Sequence, residues 1–350
     1  MKHLRLITAA VVMLCLAGCG DSETDAYQQQ LLAFGTLVDI SLYDVEPDTA
    51  RQAVQAVDQL FMQQHKDWHA WQRGELDSLN QAFAAGRDMQ VDPAIIRLIE
   101  MGQRFEHLSH GLFNPAIGHL LKLWGFQQDE PAKAPPDTDS ISRWVQAAPS
   151  TLQVHVEGSR VSSSNPAVKL DFGGFAKGYS VATAVDLLEQ RGIGNLIVNA
   201  GGDLCLRGRH GERPWRIGIR SPEGSGVLAS LDLEGARCVF TSGDYERYFE
   251  YNGKRYGHIL DPRSGYPAEG VHSVTVLADD AALADAAATA LFVAGVPDWQ
   301  AIARSFSIRD VLLIDAAGDA YITDTLKPLV HFEQTPRHVY TVNLDSRNNR

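Results

Sequence analysis

Cysteine is scarce in this chain. There are 4 in 350 residues, and none stands in the paired Cys/His spacing of a zinc centre. Cys205 and Cys238 lie in apolar, strand-like runs. Export would permit a disulfide between them, but the runs read as two buried thiols. Basic charge is in deficit as well: 31 Lys and Arg against 43 Asp and Glu give a net charge of −12. That balance argues against nucleic acid as a partner and against charge-driven binding to anionic lipid. Any anion bound here needs local compensation. The glycine run at 171–178 fits neither the Walker nor the Rossmann spacing, and there is no low-complexity tract or short solenoid repeat. The apolar run at residues 6–16 is too short to cross a bilayer.

That run fits an export leader. Lys2 and Arg5 form a basic n-region, residues 6–16 the apolar h-region, and Leu16-Ala-Gly-Cys19 a bacterial lipobox. Residues 1–18 are therefore read as a lipoprotein signal peptide, Cys19 as the acylated first residue, and residues 19–30 as a flexible polar tether. Loss of Lys2 and Arg5 makes the mature chain still more acidic. The expected location is the periplasmic side of a bacterial membrane, held by lipid and not by a spanning helix.

Residues 32–43 alternate as a strand, and residues 47–64 repeat as a helix with Ala53, Val57, Leu60 and Phe61 on one face. A second helix is expected at 93–108, and Asn114-Pro115 opens a third towards Trp124. Residues 127–140, rich in Pro, Asp and Ala, read as a surface loop. That loop is a candidate boundary between halves at about 31–135 and 150–340 of a 31–340 domain. Beyond it the chain is strand-rich. Strands are expected at 168–172, 195–199, 215–219, 227–233, 238–241 and 272–277, with helices at 176–190 and 279–294. Asn252-Gly253 marks the clearest hairpin. Long helices among antiparallel hairpins define an α+β fold, not a doubly wound sheet.

Chemistry concentrates in a few runs. Asp171-Phe-Gly-Gly-Phe-Ala-Lys-Gly178 joins a strand end to a helix start, where the backbone at Gly173 and Gly174 could cradle a phosphate and Lys177 adds charge. A tight turn without a ligand would look the same. Asn199-Ala-Gly-Gly-Asp203 ends a buried strand. Asp285 and Thr289 share a helix face and offer hard oxygen ligands suited to Mg²⁺ or Ca²⁺, with the intervening alanines, Ala288 among them, leaving room for a backbone carbonyl. His258, between a hairpin and Asp261-Pro-Arg263, is a candidate base. Asp244, in Thr241-Ser-Gly-Asp244, is the second candidate. Trp71 lies in a polar segment and could stack on a planar ligand.

Taken together and in order, these runs resemble the ApbE family of Mg²⁺-dependent FAD:protein FMN transferases. The resemblance covers the chain from about Phe34, and many exported members are lipoproteins. It implies a duplicated T-fold-like α+β architecture with mixed and antiparallel sheets and insertions. It also implies transfer of FMN from FAD to a Thr or Ser hydroxyl of a target protein, with release of AMP. Implied acceptors are flavin-bearing subunits of sodium-pumping NADH:quinone reductase or of Rnf-type complexes. Asp285 and Thr289 would bind Mg²⁺ with the Gly174 carbonyl, and Ala288 would lie in the coordination shell. Asp171, Lys177, Phe34, Trp71, the Asn114-Pro115-Ala116 turn and the backbone at Ile259 would contact FAD. Asn114-Pro115-Ala116 and Phe34 depart from the family's usual residues. Such acceptors usually face the periplasm from the inner membrane, whereas Gly20 lacks the acidic residue of inner-membrane retention. An FAD pyrophosphatase and a non-catalytic FAD-binding lipoprotein are the alternative readings.

Overall fold

The computed structural model describes residues 26–126, 134–222 and 224–345. The expected signal peptide, Cys19 and most of the expected tether lie outside them, as does the first part of the expected loop at 127–140. The chain runs β1 (Tyr27–Ala33), β2 (Thr36–Leu42), α1 (Pro47–Trp68), α2 (Glu75–Ala84), β3 (Met89–Gln90), α3 (Pro93–Leu108), α4 (Gly118–Trp124) and α5 (Thr138–Gln146). It continues with β4 (Val154–Glu157), β5 (Arg160–Ser163), α6 (Ala176–Gln190), β6 (Leu196–Ala200), β7 (Asp203–Arg207), β8 (Trp215–Arg220), β9 (Val227–Leu233) and β10 (Arg237–Gly243). It closes with β11 (Tyr248–Tyr251), β12 (Lys254–Gly257), β13 (Val271–Ala278), α7 (Ala281–Ser305), β14 (Asp310–Asp315), β15 (Ala320–Thr323), β16 (Val330–Phe332) and β17 (Val339–Val342).

Nine strands form the main sheet, in the order β1-β2-β6-β7-β10-β13-β14-β15-β17. Its two faces are told apart by alternation along the strands. Cys205, Cys238, Phe240, Val274 and Val276 point into a core shared with α1, α3, α6 and α7. Leu204, Leu206, Val239 and Leu277 point the other way, against the small β16-β9-β8 sheet. A third apolar cluster joins α4 and α5 to the β11–β12 hairpin through Trp124, Ile141, Phe249 and Leu260. The α+β expectation holds. Because β2 pairs with β6, one sheet runs across the expected boundary between halves.

Several local expectations change. Residues 32–43 are not one strand: Phe34 (φ 53°) and Gly35 (φ 71°) turn the chain between β1 and β2. β1 begins at Tyr27, so Tyr27–Gln30 are paired in a sheet and are not tether. Residues 168–172 make only an isolated bridge, Ile117 with Lys169, because Asp171 and Lys169 bond irregularly to the Pro115 and Ala116 carbonyls. The helix expected from Asn114 starts at Gly118, and the expected loop ends in α5. Cys205 and Cys238 are directly opposed on β7 and β10 and form a disulfide, which overturns the reading of two thiols. Residue spacing along the chain could not show that the two strands are neighbours.

Candidate functional site: the crossing of α6 and α7

The site is built on one close helix contact. A Cβ on Gly178 would lie 2.5 Å from the Ala281 carbonyl oxygen and 2.9 Å from Asp285 Cβ, so only glycine lets α6 ride on α7 here. The small residues Ala281, Ala284 and Ala288 are buried along the same helix. Asp280 caps α7, its side chain accepting from Leu283 N at 3.0 Å. The crossing brings the Gly178 N–H to Asp285 Oδ2 at 2.9 Å. In a continuous helix that N–H would point at the Gly174 carbonyl, which among the described residues accepts no backbone hydrogen bond. Asp285 is 7 % exposed. Burial pushes its carboxyl well above the usual range, against the pull of Lys177. Thr289 Oγ1, one turn along, is 3.1 Å from Ser242 Oγ on β10.

Beside Asp285 runs a charged chain. Asp203 forms an ion pair with Lys177 through Oδ2, and its Oδ1 accepts from Thr241 N at 2.8 Å. Burial alone would lower the Lys177 pKa, but Asp203, Asp285 and Glu246 together hold it above the usual range. Glu246 reaches water at the rim, yet desolvation by the surrounding protein pushes its carboxyl up to about 7.

A second cluster, around Asp171, is held by side chains. Asp171 accepts from Trp71 Nε1 at 2.8 Å and from Gly173 N at 2.8 Å. Burial raises its pKa and these two bonds oppose the rise. The Gly173 N–H is thus already committed and is not the phosphate cradle expected of it. Lys169 Nζ lies 4.6 Å from the centre of the Trp71 ring. Asn114 Oδ1 accepts from Ala116 N at 2.8 Å, and the Pro115 carbonyl accepts from Asp171 N at 2.8 Å, so the Asn114–Ala116 turn is sewn to the Asp171 segment. Phe34 packs on Phe61 with ring centroids 5.2 Å apart. The next residue, Gly35, brings this turn to Arg247, whose Nη2 would lie 3.3 Å from a Cβ there.

His258 is half-buried after β12, with its Nδ1 shielded from solvent. Its Nδ1 has no partner among the described residues, and burial, helped by Arg247, pushes its pKa down to about 4. Asp244 Oδ2 is 2.8 Å from His272 Nδ1. Gly257, just before His258, packs against Asp244: a Cβ there would be 3.9 Å from Asp244 Cβ. Ile259, which is buried, ties its carbonyl to Ala268 N at 2.9 Å.

The structure therefore assembles Lys177, Asp285 and Thr289 at one place, and Asp171, Trp71 and the Asn114–Ala116 turn at another. Ala288 brings no side-chain ligand. Among the described residues there is no cluster of three His, Cys, Asp or Glu able to hold a metal. A buried carboxylate with one N–H partner and a hydroxyl one turn along the same helix nevertheless offer hard oxygen donors of the kind Mg²⁺ takes, and the Gly174 carbonyl has no helical donor of its own. Asp203, Glu246 and His272 were not singled out as site residues. Asp203 closes the run Asn199–Asp203 and Glu246 lies two residues beyond Thr241–Asp244, whereas nothing near His272 in sequence signals its partner.

Fold and site define a mixed helix-and-sheet protein with an oxygen-lined charged centre where two helices cross. Residues 34–312 match the ApbE family. An FAD:protein FMN transferase of Rhodobacter capsulatus is 43% identical over 322 residues, 92% of this chain and 61% of that protein's length. One from Treponema pallidum is 33% identical over 332 residues, covering 88% of this chain and 90% of that protein. The crystal structure of the ApbE protein from Thermotoga maritima matches with a TM-score of 0.79 at 33% identity, covering 87% of this chain and 99% of that one. The chain belongs to the ApbE family.

Proposed function

We propose that this chain transfers FMN from FAD to a Thr or Ser hydroxyl of an acceptor protein and releases AMP. The observation that carries the reading is the buried Asp285, set beside Lys177 and Thr289 at the α6–α7 crossing of an ApbE-family chain. Mg²⁺, held by Asp285, Thr289 and the Gly174 carbonyl, would neutralise charge on the FAD pyrophosphate. Lys177, fixed by Asp203, supplies a positive charge for the phosphates. Trp71, Asp171 and the Asn114–Ala116 turn form the wall for the rest of the nucleotide, with Phe34 and the Ile259 backbone. His258, uncharged at neutral pH, accepts the proton of the incoming hydroxyl. The hydroxyl oxygen bonds to the FMN phosphorus, the bond to the AMP oxygen breaks, and AMP leaves with the electron pair. Rate enhancement rests mainly on alignment and electrostatics.

On this reading the acceptor is a flavin-bearing subunit of a sodium-pumping NADH:quinone reductase or Rnf-type complex. The enzyme works on the periplasmic side of a membrane, anchored by lipid on Cys19. The test is incubation with FAD, Mg²⁺ and an acceptor domain, followed by mass spectrometry. A gain of one FMN on the acceptor supports transfer. Free FMN with AMP and an unmodified acceptor replaces it with hydrolysis, and unchanged FAD overturns turnover altogether.

A further inference from the structure

We propose that the Cys205–Cys238 disulfide is a positioning device: it clamps the short seam between β7 and β10 so that Asp203 holds Lys177 in the site, which is complete only in the oxidised chain. For the transfer rate this rests on the function proposed above; for FAD affinity it does not.

The seam is short. β7 and β10 pair only at Arg237 with Leu206, Cys238 with Cys205 and Val239 with Leu204. On its other side β10 pairs with β13 over the full run from Cys238 to Gly243. Where the β7–β10 ladder stops, a side chain continues it: Asp203 Oδ1 takes the Thr241 N–H at 2.8 Å. Asp203 Oδ2 faces Lys177 on α6. Asp203 thus stands at the free end of a three-pair ladder, two residues from a covalent cross-link. The same β10 strand carries Ser242, which contacts Thr289. Between the two cysteines, 33 residues apart, lies the whole β8–β9 hairpin. Without the bond, a loop of that length must be closed by non-covalent contacts alone.

Both cysteines are 1 % exposed, on the helix-facing side of the sheet, and Cys238 Sγ lies 3.8 Å from the Asp279 carbonyl at the start of α7. The packed protein shields the bond from thiol attack, so it is set during folding and not toggled afterwards. Its formation needs an oxidant: the two thiols lose two protons and two electrons to a disulfide donor, which leaves as two thiols. The device therefore links completion of the site to a compartment that supplies such a donor.

The test compares full-length oxidised wild type, the double variant Cys205→Ala/Cys238→Ala, Asp203→Asn, and the triple variant. FAD affinity and transfer rate are measured well below each melting temperature. Loss of a charge-assisted positioning contact predicts weaker FAD binding and a rate drop of about 10- to 100-fold in the double variant. Asp203→Asn should match it, and the triple variant should add nothing further, since one linkage is broken twice. A folded double variant with wild-type affinity and rate overturns the proposal, as does full additivity. Should the double variant not fold, Asp203→Asn decides alone, and unchanged FAD affinity there refutes it. If wild type binds FAD without transferring FMN, the proposed function fails while the affinity comparison still stands.

Discussion

The two sides of the site are held by different physics. At the α6–α7 crossing, backbone meets backbone: Gly178 lies against the Ala281 carbonyl, and Asp285 is fixed by a main-chain N–H. In the cluster around Asp171, Trp71, Asp171 and Asn114 are held by side-chain hydrogen bonds across loops. Close backbone packing tolerates almost no change in volume. A cluster of separate polar contacts can lose one and keep the rest. The charged side should therefore break sharply on substitution, and the aromatic side should weaken gradually.

The largest effect is expected at His258, which belongs to neither side. His258→Asn should cut transfer by about 10²–10⁴-fold while FAD affinity holds. A base works deprotonated, so activity is kept above its pKa and lost below it. With that pKa pushed down to about 4, the acid limb should fall near pH 4 and vanish in the variant. A limb near the ordinary histidine value, or one that survives in His258→Asn, moves the base elsewhere.

Asp285→Ala comes next. It removes a buried carboxylate and strands the Gly178 N–H, so Mg²⁺-dependent transfer should drop by about 10²-fold or more with FAD still bound by the Asp171 cluster. Thr289→Ala should be milder, because water can replace a neutral ligand. Magnesium titrations on both variants check the order, and full activity of Asp285→Ala in chelator would remove the metal from the mechanism.

Gly178→Ala tests the backbone side directly. The added methyl meets a carbonyl oxygen at 2.5 Å. Urea unfolding should show a loss of about 1–3 kcal/mol, with weakened transfer even where the protein is folded. Trp71→Phe should do least. It keeps a ring and deletes one hydrogen bond to Asp171, a loss of about 1 kcal/mol, seen as weaker FAD binding by several-fold with little change in stability. A larger effect at Trp71 than at Gly178 would invert the comparison.

Much of this was legible in the residues. Helical spacing located α1, α3, α6 and the first part of α7, which breaks at Gly295 (φ 67°). Asn252-Gly253 located the β11–β12 hairpin. Spacing along one helix put Asp285 and Thr289 on one face, and clustering of Gly, Asp and His marked the runs that line the site. These are signals carried within a few residues, where backbone preference and side-chain periodicity act. The pairings were not legible. Which strand neighbours β7, that Cys205 meets Cys238, that Asp203 reaches Lys177, and that Trp71 turns its N–H to Asp171 a hundred positions away all depend on strand order and helix crossing. A strand's sequence says which face it buries but not which partner it buries against. Only the packed fold, by bringing distant segments within hydrogen-bond reach, decided those contacts.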